Sequence, residues 1–330
     1  MSLRHRHFLK LLDISREEIL ELLEIARRSK QAQHSGQETA RLEGKAIALI
    51  FEKDSTRTRC AFEVAAIHQG ARTSYLGAAG SHFGKKETVA DTARVLGRMY
   101  DAICFRGYEQ DTVEELARHA GVPVYNALTD RFHPTQILAD FLTMSEHCAK
   151  PLSQQTLVYL GDGANNMGNS LMVGAAKVGL DFRMACPDGL RPESSLVDAC
   201  QELASSSGAR LGFYDDAFAA VKGADFVYTD VWVSMGQPEA LWKERIAALT
   251  PYRVTAELMA ASGDQQTKFL HCLPAFHNAD TEVGAAIARD YGLNGVEVTE
   301  EVFESDRSVV FDQAENRLHT IKAILLATLS

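Results

Sequence analysis

The chain has 330 residues, of which 46% are hydrophobic and 24% are charged, a composition that excludes a disordered or fibrous protein. This length is sufficient for two domains, each with its own core. The formal net charge of −10 argues against nucleic acid as the main partner, because phosphate backbones are bound by basic surfaces.

Targeting and redox features indicate the cytoplasm. No run reaches roughly 18 apolar residues, so we expect no membrane span, and charged residues near the start interrupt any signal sequence. The six cysteines are scattered without a C-x-x-C pair, which favours free thiols over disulfides or a zinc cluster. We therefore expect a cytoplasmic protein that has no membrane partner and no metal.

The first predicted elements are a helix and a buried strand. Ser15 and Glu18 form the S-x-x-E pattern of a capping box, and apolar residues at helical spacing follow it. The uninterrupted apolar run at 46–51 predicts a buried strand. Both segments belong to the scaffold.

Hydroxyl and guanidinium groups are concentrated directly after this strand, where segment 55–59 has the sequence Ser-Thr-Arg-Thr-Arg and a helix is predicted to begin. The first N–H groups of a helix lack intrahelical partners, and its positive dipole end favours an anion. Arg57 and Arg59 add charged donors, and their charge opposes the dipole unless an anion is bound. The segment therefore predicts a phosphate-like ligand. The alternative is a helix cap, with Asp54 or Ser55 as the N-cap and both arginines in solvent.

Two further polar groups in the first half follow predicted strands. The strand at 73–76 leads into a basic, glycine-rich loop that contains His82, and a helix at 87–99 follows. Arg106 stands at the end of a strand at 102–105. Ligands of open α/β sheets collect outside the carboxyl ends of the strands, which makes Arg106 a candidate binding residue.

A third polar group precedes the next predicted helix. His133-Pro134-Thr135-Gln136 comes shortly after a strand at 122–126. Proline is suited to the first turn of a helix, so His133 is expected at the cap and Gln136 in that turn. A capping histidine without chemistry is the alternative.

The polar segment at 149–155 marks the predicted domain boundary, and a second α/β alternation follows it. The strand at 156–160 leads into Gly-Asp-Gly-Ala-Asn-Asn, which has Asn166 where a dinucleotide-binding motif has its third glycine. Amide side chains here suit a carboxylate or an amino-acid backbone.

Two later strands and a final helix complete the predicted second half. Asp230 follows a strand at 225–229, and Cys272 follows a strand at 268–270. A loop carboxylate and a buried inert thiol are the alternatives for these two residues. The helix at 314–329 has leucine and isoleucine at helical spacing beside Arg317, and we expect it to dock on the first domain.

Four motifs in this order and spacing together resemble the ornithine carbamoyltransferase family. They are S-T-R-T-R at 55–59, H-P-T-Q at 133–136, D-V-W-V-S-M-G at 230–236 and H-C-L-P at 271–274. The resemblance covers essentially the whole chain. It implies an α/β protein of two parallel-sheet domains, with the active site in the cleft between them and a C-terminal helix that returns to the first domain.

The resemblance also implies domains, an assembly and a reaction. Residues 1–150, with the helix at about 314–330, are expected to bind carbamoyl phosphate, and residues 151–313 to bind L-ornithine. A homotrimer or an assembly of trimers is expected, without a cofactor. The products are L-citrulline and phosphate, in either the biosynthetic or the breakdown direction of arginine metabolism.

Site residues are carried over from the family motifs position by position. The resemblance implies that carbamoyl phosphate is bound by Ser55, Thr56, Arg57, Thr58, His82, Arg106, His133, Pro134, Thr135, Gln136, Cys272, Leu273 and Arg317. It implies that ornithine is bound by Asn166, Asp230, Ser234 and Met235. Some relatives have glutamine at the position of His82, and both side chains can donate a hydrogen bond to phosphate.

The side chains themselves suit this chemistry. An amine attacks the carbamoyl carbon, charge develops on oxygen, and Arg106 and His133 are donors that can stabilise it. No covalent intermediate is needed, so Cys272 need not be a nucleophile. We expect Asp230 and Cys272 to orient the attacking amine, which must be neutral to react.

Several alternatives stay open at this point. An aspartate carbamoyltransferase shares the phosphate half, but it needs a cationic pocket for a second carboxylate. Putrescine and an acylated ornithine are other possible acceptors. An NAD-dependent oxidoreductase is disfavoured by the missing glycine. An inactive amino-acid sensor is disfavoured by the complete set of phosphate residues.

Overall fold

The structure is a computed structural model that describes residues 3–78, 86–233 and 239–330. The chain divides into two compact units, one formed by Met1–Leu142 with Glu315–Ser330 and the other by Thr143–Ala314. In the described ranges, no helix combines the length and the apolar character that crossing a membrane requires.

Helices and strands alternate along the chain up to residue 229, and consecutive helices occur after it. Up to residue 147 they are α1 (Arg16–His34), β1 (Ala46–Phe51), α2 (Thr56–His68), β2 (Arg72–Gly77), α3 (Val89–Leu96), β3 (Ala102–Arg106), α4 (Gln110–Ala120), β4 (Val124–Leu128) and α5 (Pro134–His147). Then follow β5 (Thr156–Leu160), α6 (Asn166–Val178), β6 (Asp181–Ala185), α7 (Ser194–Ser207), β7 (Arg210–Tyr214), α8 (Ala217–Ala220), β8 (Phe226–Thr229), α9 (Glu239–Leu249), α10 (Ala256–Ala260), β9 (Lys268–His271), α11 (Glu282–Tyr291), α12 (Glu300–Phe303) and α13 (Val310–Leu329).

The first unit is built on a parallel sheet with the strand order β2-β1-β3-β4. The central strand β1 is apolar throughout, because helices cover both faces of a parallel sheet. Phe51, at its end, lies opposite Gly77 on one side and Arg106 on the other. The chain passes from β1 to β2 on one side and later returns to β3 on the other. The carboxyl ends of β1 and β3 therefore flank a topological switch point.

The second unit repeats this design with the strand order β7-β6-β5-β8-β9, again all parallel. Leu160, the last residue of β5, lies opposite Thr229, and Thr229 lies opposite His271. The direction of strand addition reverses between β5 and β8. A second switch point therefore lies beside the turn after β5 and the loop after β8.

From Glu315 onward the C-terminal helix belongs to the first unit, where polar as well as apolar contacts hold it. Tyr125 in β4 and Thr328 in α13 share a hydrogen bond of 2.6 Å between buried hydroxyls. Lys322 is fully buried, and its Nζ donates to both carboxylate oxygens of Glu38 at 2.7 and 2.9 Å. Such a buried charge is tolerated only when it is paired, so this ion pair fixes α13 against the segment after α1.

The predicted fold class is confirmed, while several element bounds differ. The helix predicted at 87–99 is shorter and begins after Thr88, whose hydroxyl accepts a hydrogen bond from the Asp91 amide at 3.0 Å. The strand predicted at 122–126 runs from Val124 to Leu128 instead. Gly121 ends α4 in the left-handed conformation, so the next two residues still belong to the connection.

Candidate active site

The turn after β1 caps α2 and directs its first amides to one place. Ser55 is the N-cap residue, and its hydroxyl accepts a hydrogen bond from the Thr58 amide at 3.3 Å. Thr56 and Arg57 are the first two helical residues, so their N–H groups lack intrahelical partners. The cap predicted for Asp54 or Ser55 is thus formed by Ser55. The cap and an anion site are compatible here, because the capping hydroxyl uses only one of the free amides.

The two arginines of this turn have different environments. Arg59 donates to Glu63 Oε1 at 3.0 Å, and its guanidinium lies 3.9 Å from the centre of the Tyr75 ring. The prediction that Arg59 adds a donor for the anion is therefore wrong, and its surface alternative is right. Arg57 is half-buried and lies close enough to His133 to lower the pKa of that imidazole. Residues two apart on a helix point to nearly opposite sides, which explains the difference.

Thr58 brings two further arginines together. Its fully buried hydroxyl accepts a hydrogen bond from Arg317 Nη2 at 2.8 Å and a longer one from Arg106 Nη1 at 3.4 Å. Arg106 is the last residue of β3, and Arg317 lies in α13. The start of α2, the end of β3 and the C-terminal helix therefore concentrate positive charge at the first switch point, an environment that favours a phosphate dianion.

His133 borders the same group of arginines at the start of α5. The His133 ring is buried, and its Nδ1 lies 3.4 Å from Thr135 Oγ1. Burial, followed by repulsion from Arg317, Arg106 and Arg57, lowers the pKa of His133 well below its usual value. The imidazole is therefore neutral at neutral pH, so it carries one N–H donor and no charge.

Gln136 is oriented by a residue that the sequence did not single out. Its Nε2 donates to Asp140 Oδ1 at 2.9 Å, and both side chains are buried. Within the described residues its Oε1 has no hydrogen-bond partner, so this oxygen can accept from a ligand amide. Only the four-residue spacing of glutamine and aspartate in a predicted helix could have indicated the pair.

The second group of candidate residues lies at the switch point of the second unit. Asn165 caps α6, with Oδ1 accepting from the Gly168 amide at 2.8 Å, and Asn166 is the first helical residue. Asn165 Nδ2 also donates to Tyr159 Oη at 3.1 Å and to Asp230 Oδ2 at 3.3 Å. The turn after β5 and the loop after β8 are thereby joined.

Asp230 and Cys272 are in direct contact. The Cys272 thiol donates to Asp230 Oδ1 at 3.0 Å, and the Val231 amide donates to the same oxygen at 2.7 Å. Burial raises the pKa of Asp230, while the neighbouring His271 side chain and the hydrogen bond from Cys272 act in the opposite direction. The inert-thiol alternative for Cys272 does not fit, because the side chain is only partly buried and bonds a carboxylate.

A buried histidine–glutamate pair supports the segment that carries Cys272. His271 Nδ1 accepts a hydrogen bond from the Leu273 amide at 2.9 Å, which places the ring proton on Nε2. Nε2 lies 3.3 Å from Glu297 Oε1, and both side chains are fully buried. Leu273 itself has a φ of 59°, in the left-handed region, beside the candidate site. Sequence patterns did not identify Glu297, which lies in a segment without a motif.

The loop that begins at Asp230 is anchored by an arginine from α9. Arg245 Nη2 donates to Asp162 Oδ2 and its Nε to the Trp232 carbonyl, both at 2.6 Å. Asp162 Oδ1 in turn accepts from the Ala164 amide at 3.0 Å. The sequence did not single out Arg245 or Asp162 as functional. Three predicted binding residues, His82, Ser234 and Met235, lie outside the described residues.

Models of known protein families match both halves of the chain. The model "Aspartate/ornithine carbamoyltransferase, carbamoyl-P binding domain" matches residues 6–146. The model "Aspartate/ornithine carbamoyltransferase, Asp/Orn binding domain" matches residues 153–328. The chain belongs to the aspartate/ornithine carbamoyltransferase family.

Curated members of the carbamoyltransferase family match along the whole chain. The chain is 59% identical over 331 residues to the catabolic ornithine carbamoyltransferase of Chromobacterium violaceum, covering 99% of this chain and 98% of that protein. It is 57% identical over 331 residues to the ornithine carbamoyltransferase of Actinobacillus pleuropneumoniae, with coverages of 100% and 99%.

A solved carbamoyltransferase structure has the same fold. The ornithine carbamoyltransferase from Pyrococcus furiosus superimposes with a TM-score of 0.91 at 42% identity, covering 100% of this chain and 98% of that chain. Two arginines of the group in the first unit, Arg57 and Arg106, lie in the range matched by the carbamoyl-P binding domain model. Arg317 is the exception, because it falls within the sequence range of the second family model but packs in the first unit.

Proposed function

We propose that this member of the carbamoyltransferase family transfers the carbamoyl group of carbamoyl phosphate to the side-chain amine of L-ornithine, giving L-citrulline and phosphate. The observation that carries the choice of acceptor is the Asp230–Cys272 contact in the second unit. A carboxylate at this position attracts an ammonium or amine group and repels the second carboxylate of aspartate. The names of the two curated relatives support the same acceptor.

In this proposal the first unit binds carbamoyl phosphate. The phosphate lies on the α2 N-terminus, where Ser55, Thr56, Arg57 and Thr58 supply amide, hydroxyl and guanidinium donors. Arg106 and Arg317 add charge from β3 and α13, and their shared contact with Thr58 supports this role. We also assign His82 to the phosphate and Pro134 and Thr135 to the helix start that positions the carbamoyl group.

The carbamoyl group is held by Arg106, His133 and Gln136. Arg106 and the neutral His133 donate to the carbamoyl oxygen, where negative charge develops as the amine attacks. Gln136 Oε1 accepts from the carbamoyl amide, in agreement with the orientation that Asp140 imposes on the side chain. A neutral histidine suits this role, because it donates a hydrogen bond without transferring its proton to the leaving phosphate.

The second unit binds ornithine. Asn166, Ser234 and Met235 take its amino-acid end, and Asp230 with Cys272 orients its side-chain amine. Cys272 and Leu273 are in addition assigned to the carbamoyl end. The Asn165–Asp230 hydrogen bond supports a shared role for the two loops.

The proposed step needs no cofactor. The neutral amine nitrogen forms a bond to the carbamoyl carbon, the carbon–oxygen bond to phosphate breaks, and phosphate leaves with the electron pair. The leaving phosphate then accepts the proton that the amine releases. Most of the acceleration comes from holding the two substrates in position and stabilising the oxygen charge.

Four acceptors offered in parallel test this proposal. Carbamoyl transfer from carbamoyl phosphate is measured with ornithine, putrescine, aspartate and N-acetylornithine at equal concentrations. We expect ornithine to give the highest kcat/KM. Preference for aspartate would refute the role of Asp230 and Cys272, and preference for putrescine or the acetylated substrate would refute the assignment of the amino-acid end.

We further propose a homotrimer, or an assembly of trimers, that works in the cytoplasm in arginine metabolism. Ile67 and Met99 support subunit contact, since 67% and 69% of these apolar residues are exposed in the single chain. Six free thiols agree with a reducing compartment. Sedimentation equilibrium tests the assembly, and a monomer at all concentrations would refute it.

A further inference from the structure

Three metal-ligating side chains meet outside the candidate active site, on the first unit. His34 is the last residue of α1, and Glu315 and His319 lie one turn apart on α13. Each residue offers one ligand atom, and these atoms all lie within 4.8 Å of one another. The proposed carbamoyl transfer uses none of the three residues.

Two of the ligand-atom distances in this cluster match those between ligands of one tetrahedral ion. His34 Nε2 lies 3.3 Å and His319 Nε2 lies 3.2 Å from the same oxygen, Glu315 Oε1. A tetrahedral zinc ion with bonds of about 2.05 Å to nitrogen and oxygen separates its ligand atoms by about 3.3 Å. The two imidazole rings stand perpendicular with their centres 6.0 Å apart, so they approach the carboxylate from different directions.

Exposure and charge are also suitable for an ion. The His319 side chain is buried, whereas those of His34 and Glu315 are 58% and 44% exposed, which leaves a path for an ion and a position for water. Burial, as the main cause, lowers the pKa of His319 to about 4, so its ring is neutral and able to coordinate at neutral pH. Burial acts to raise the pKa of Glu315, but the hydrogen bond from His319, the charge of Lys30 and the hydrogen bond from His34 together lower it.

Two lysines face the cluster and oppose a cation. Lys30 and Lys322 both act on His319, but each is engaged by another acceptor. Lys30 Nζ donates to Asn316 Oδ1 at 2.8 Å, and Lys322 is paired with Glu38. The alternative to a metal is a set of plain hydrogen bonds, in which both imidazoles donate to the Glu315 oxygen. That alternative predicts no specific affinity for a transition metal.

We propose that His34, Glu315 and His319 form a binding site for a zinc-class divalent cation, with three protein ligands and water in the fourth position. Two histidines and one glutamate are a ligand set that zinc accepts in proteins. The ion joins the end of α1 to α13. Arg317 lies between the two ligands of α13, on the opposite side of the helix, so the ion steadies the helix that carries Arg317 to Thr58.

Metal titration of the whole chain tests the site. Protein treated with a chelator and then dialysed is titrated with Zn²⁺ by calorimetry and with Co²⁺ by absorption spectroscopy. Both titrations use the Cys272→Ser background, because Asp230, His271 and Cys272 form a second group able to bind a metal. We expect one ion per chain and Co²⁺ bands of a tetrahedral site without thiolate charge transfer. At a Zn²⁺ concentration of 100 Kd the folded-to-unfolded ratio rises about 100-fold.

Substitutions assign the ligands. His34→Asn and Glu315→Gln remove exposed ligands and are expected to weaken Zn²⁺ binding at least about tenfold, since loss of even an outer partner costs that much. His319→Asn is also expected to weaken Zn²⁺ binding, but the His319 side chain is buried and this variant can fail to fold. In that case the His34 and Glu315 variants alone test whether the cluster binds the ion. His119→Asn is the matched control, because His119 also lies in the last turn of a helix but outside the cluster.

The outcomes separate the two alternatives. Loss of the ion in the His34 and Glu315 variants, with retention in the His119 control, supports the site. An absence of stoichiometric binding in the Cys272→Ser protein overturns it. Binding that survives His34→Asn and Glu315→Gln unchanged overturns it as well, and leaves only hydrogen bonds in the cluster.

Discussion

Arg317 Nη2 donates a 2.8 Å hydrogen bond to Thr58 Oγ1, although 259 residues separate the two positions in the chain. Thr58 also accepts from Arg106, and all three residues belong to the first unit. One hydroxyl therefore fixes two guanidiniums that the proposed function assigns to the same phosphate. The relationship gives Thr58 a positioning role in addition to the phosphate contact that the proposed function assigns to it.

Thr58→Val keeps the side-chain volume but removes the hydroxyl that both guanidiniums share. Because a hydrogen bond to a charged group contributes about 1.5–3 kcal/mol, we expect the affinity for carbamoyl phosphate to fall roughly 10- to 100-fold. Calorimetric titration with carbamoyl phosphate measures this loss. Thr58→Ser retains the hydroxyl and is expected to bind within a few-fold of the native chain, and equal losses in both variants would contradict the shared-acceptor role.

Arg57→Ala and Arg106→Ala test the proposed phosphate and carbonyl contacts. Each is expected to lower kcat/KM by about two orders of magnitude, on the order of 3 kcal/mol, because each removes a charged donor to a group that is dianionic or gaining charge. Steady-state kinetics at subsaturating carbamoyl phosphate measure the effect. Arg59→Ala is a control in the same helical turn, since Arg59 is engaged by Glu63 and Tyr75. Full activity of the Arg57 or Arg106 variant would contradict the assignment.

The sequence predicted the parts of the site that depend on local patterns. The apolar run of β1, the Ser55 cap and the helix start at Pro134 are set by neighbouring residues, and each occurs where the pattern placed it. The different directions of Arg57 and Arg59 were also accessible in principle. Two residues correspond to about 200° of an α-helix, so both side chains could not point toward one anion.

The residues that support the site could not be predicted in this way. Glu297 meets His271, and Arg245 meets Asp162, across distances in sequence that no periodicity records. Such partners are selected by tertiary packing, because a buried polar group must find an acceptor wherever the fold places one. The pairing of Lys322 with Glu38 is another example, since a lysine in an apolar helix face does not indicate where its carboxylate lies.

Asp230→Asn tests the proposal that the second unit binds ornithine and the first unit binds carbamoyl phosphate. Removal of the negative charge weakens the attraction for the amine of ornithine while the Cys272 contact can persist through the amide oxygen. We therefore expect a KM for ornithine that is at least about tenfold higher, since each 1.4 kcal/mol of lost binding is a factor of ten. Calorimetry with carbamoyl phosphate alone is the companion measurement. Loss of carbamoyl phosphate binding in this variant would show that the assignment of ligands to units is wrong.

The pH dependence of the reaction distinguishes the substrate amine from His133. The kcat/KM for ornithine is expected to rise from about pH 6 to 9, because the attacking amine reacts only when neutral. His133 does not contribute to this rise, since burial and three arginines hold its pKa well below the usual value. The His133→Gln variant should therefore be slower but show the same slope. A flat profile in the native enzyme would contradict the neutral-amine requirement, and loss of the slope in the variant would make His133 the titrating group.

The buried imidazole of His319 makes stability depend on pH. Its pKa is lowered to about 4 in the folded chain, mainly by burial, from 6.5 in the unfolded chain. Between these values the unfolded state binds more protons, so the free energy of unfolding falls as the pH decreases below 6.5. The slope approaches about 1.4 kcal/mol per pH unit for one proton and disappears below pH 4, where both states are protonated.

His319→Asn removes this titration, so the variant should lose less stability than the native chain between pH 7 and pH 5. The expected difference is about 2 kcal/mol, which is 1.5 pH units of the one-proton slope. Urea unfolding at both pH values measures it, with a chelator present so that a bound ion does not contribute. His133, His7 and His68, whose pKa values are also lowered, remain in the variant and account for its residual loss of stability.

The range from pH 7 to 8 is the internal control. There the free energies of unfolding of the two proteins should change with pH in the same way, because His319 is largely neutral in both the folded and the unfolded state. If the free energy of unfolding decreases equally in both proteins below pH 6.5, His319 does not exchange a proton on unfolding.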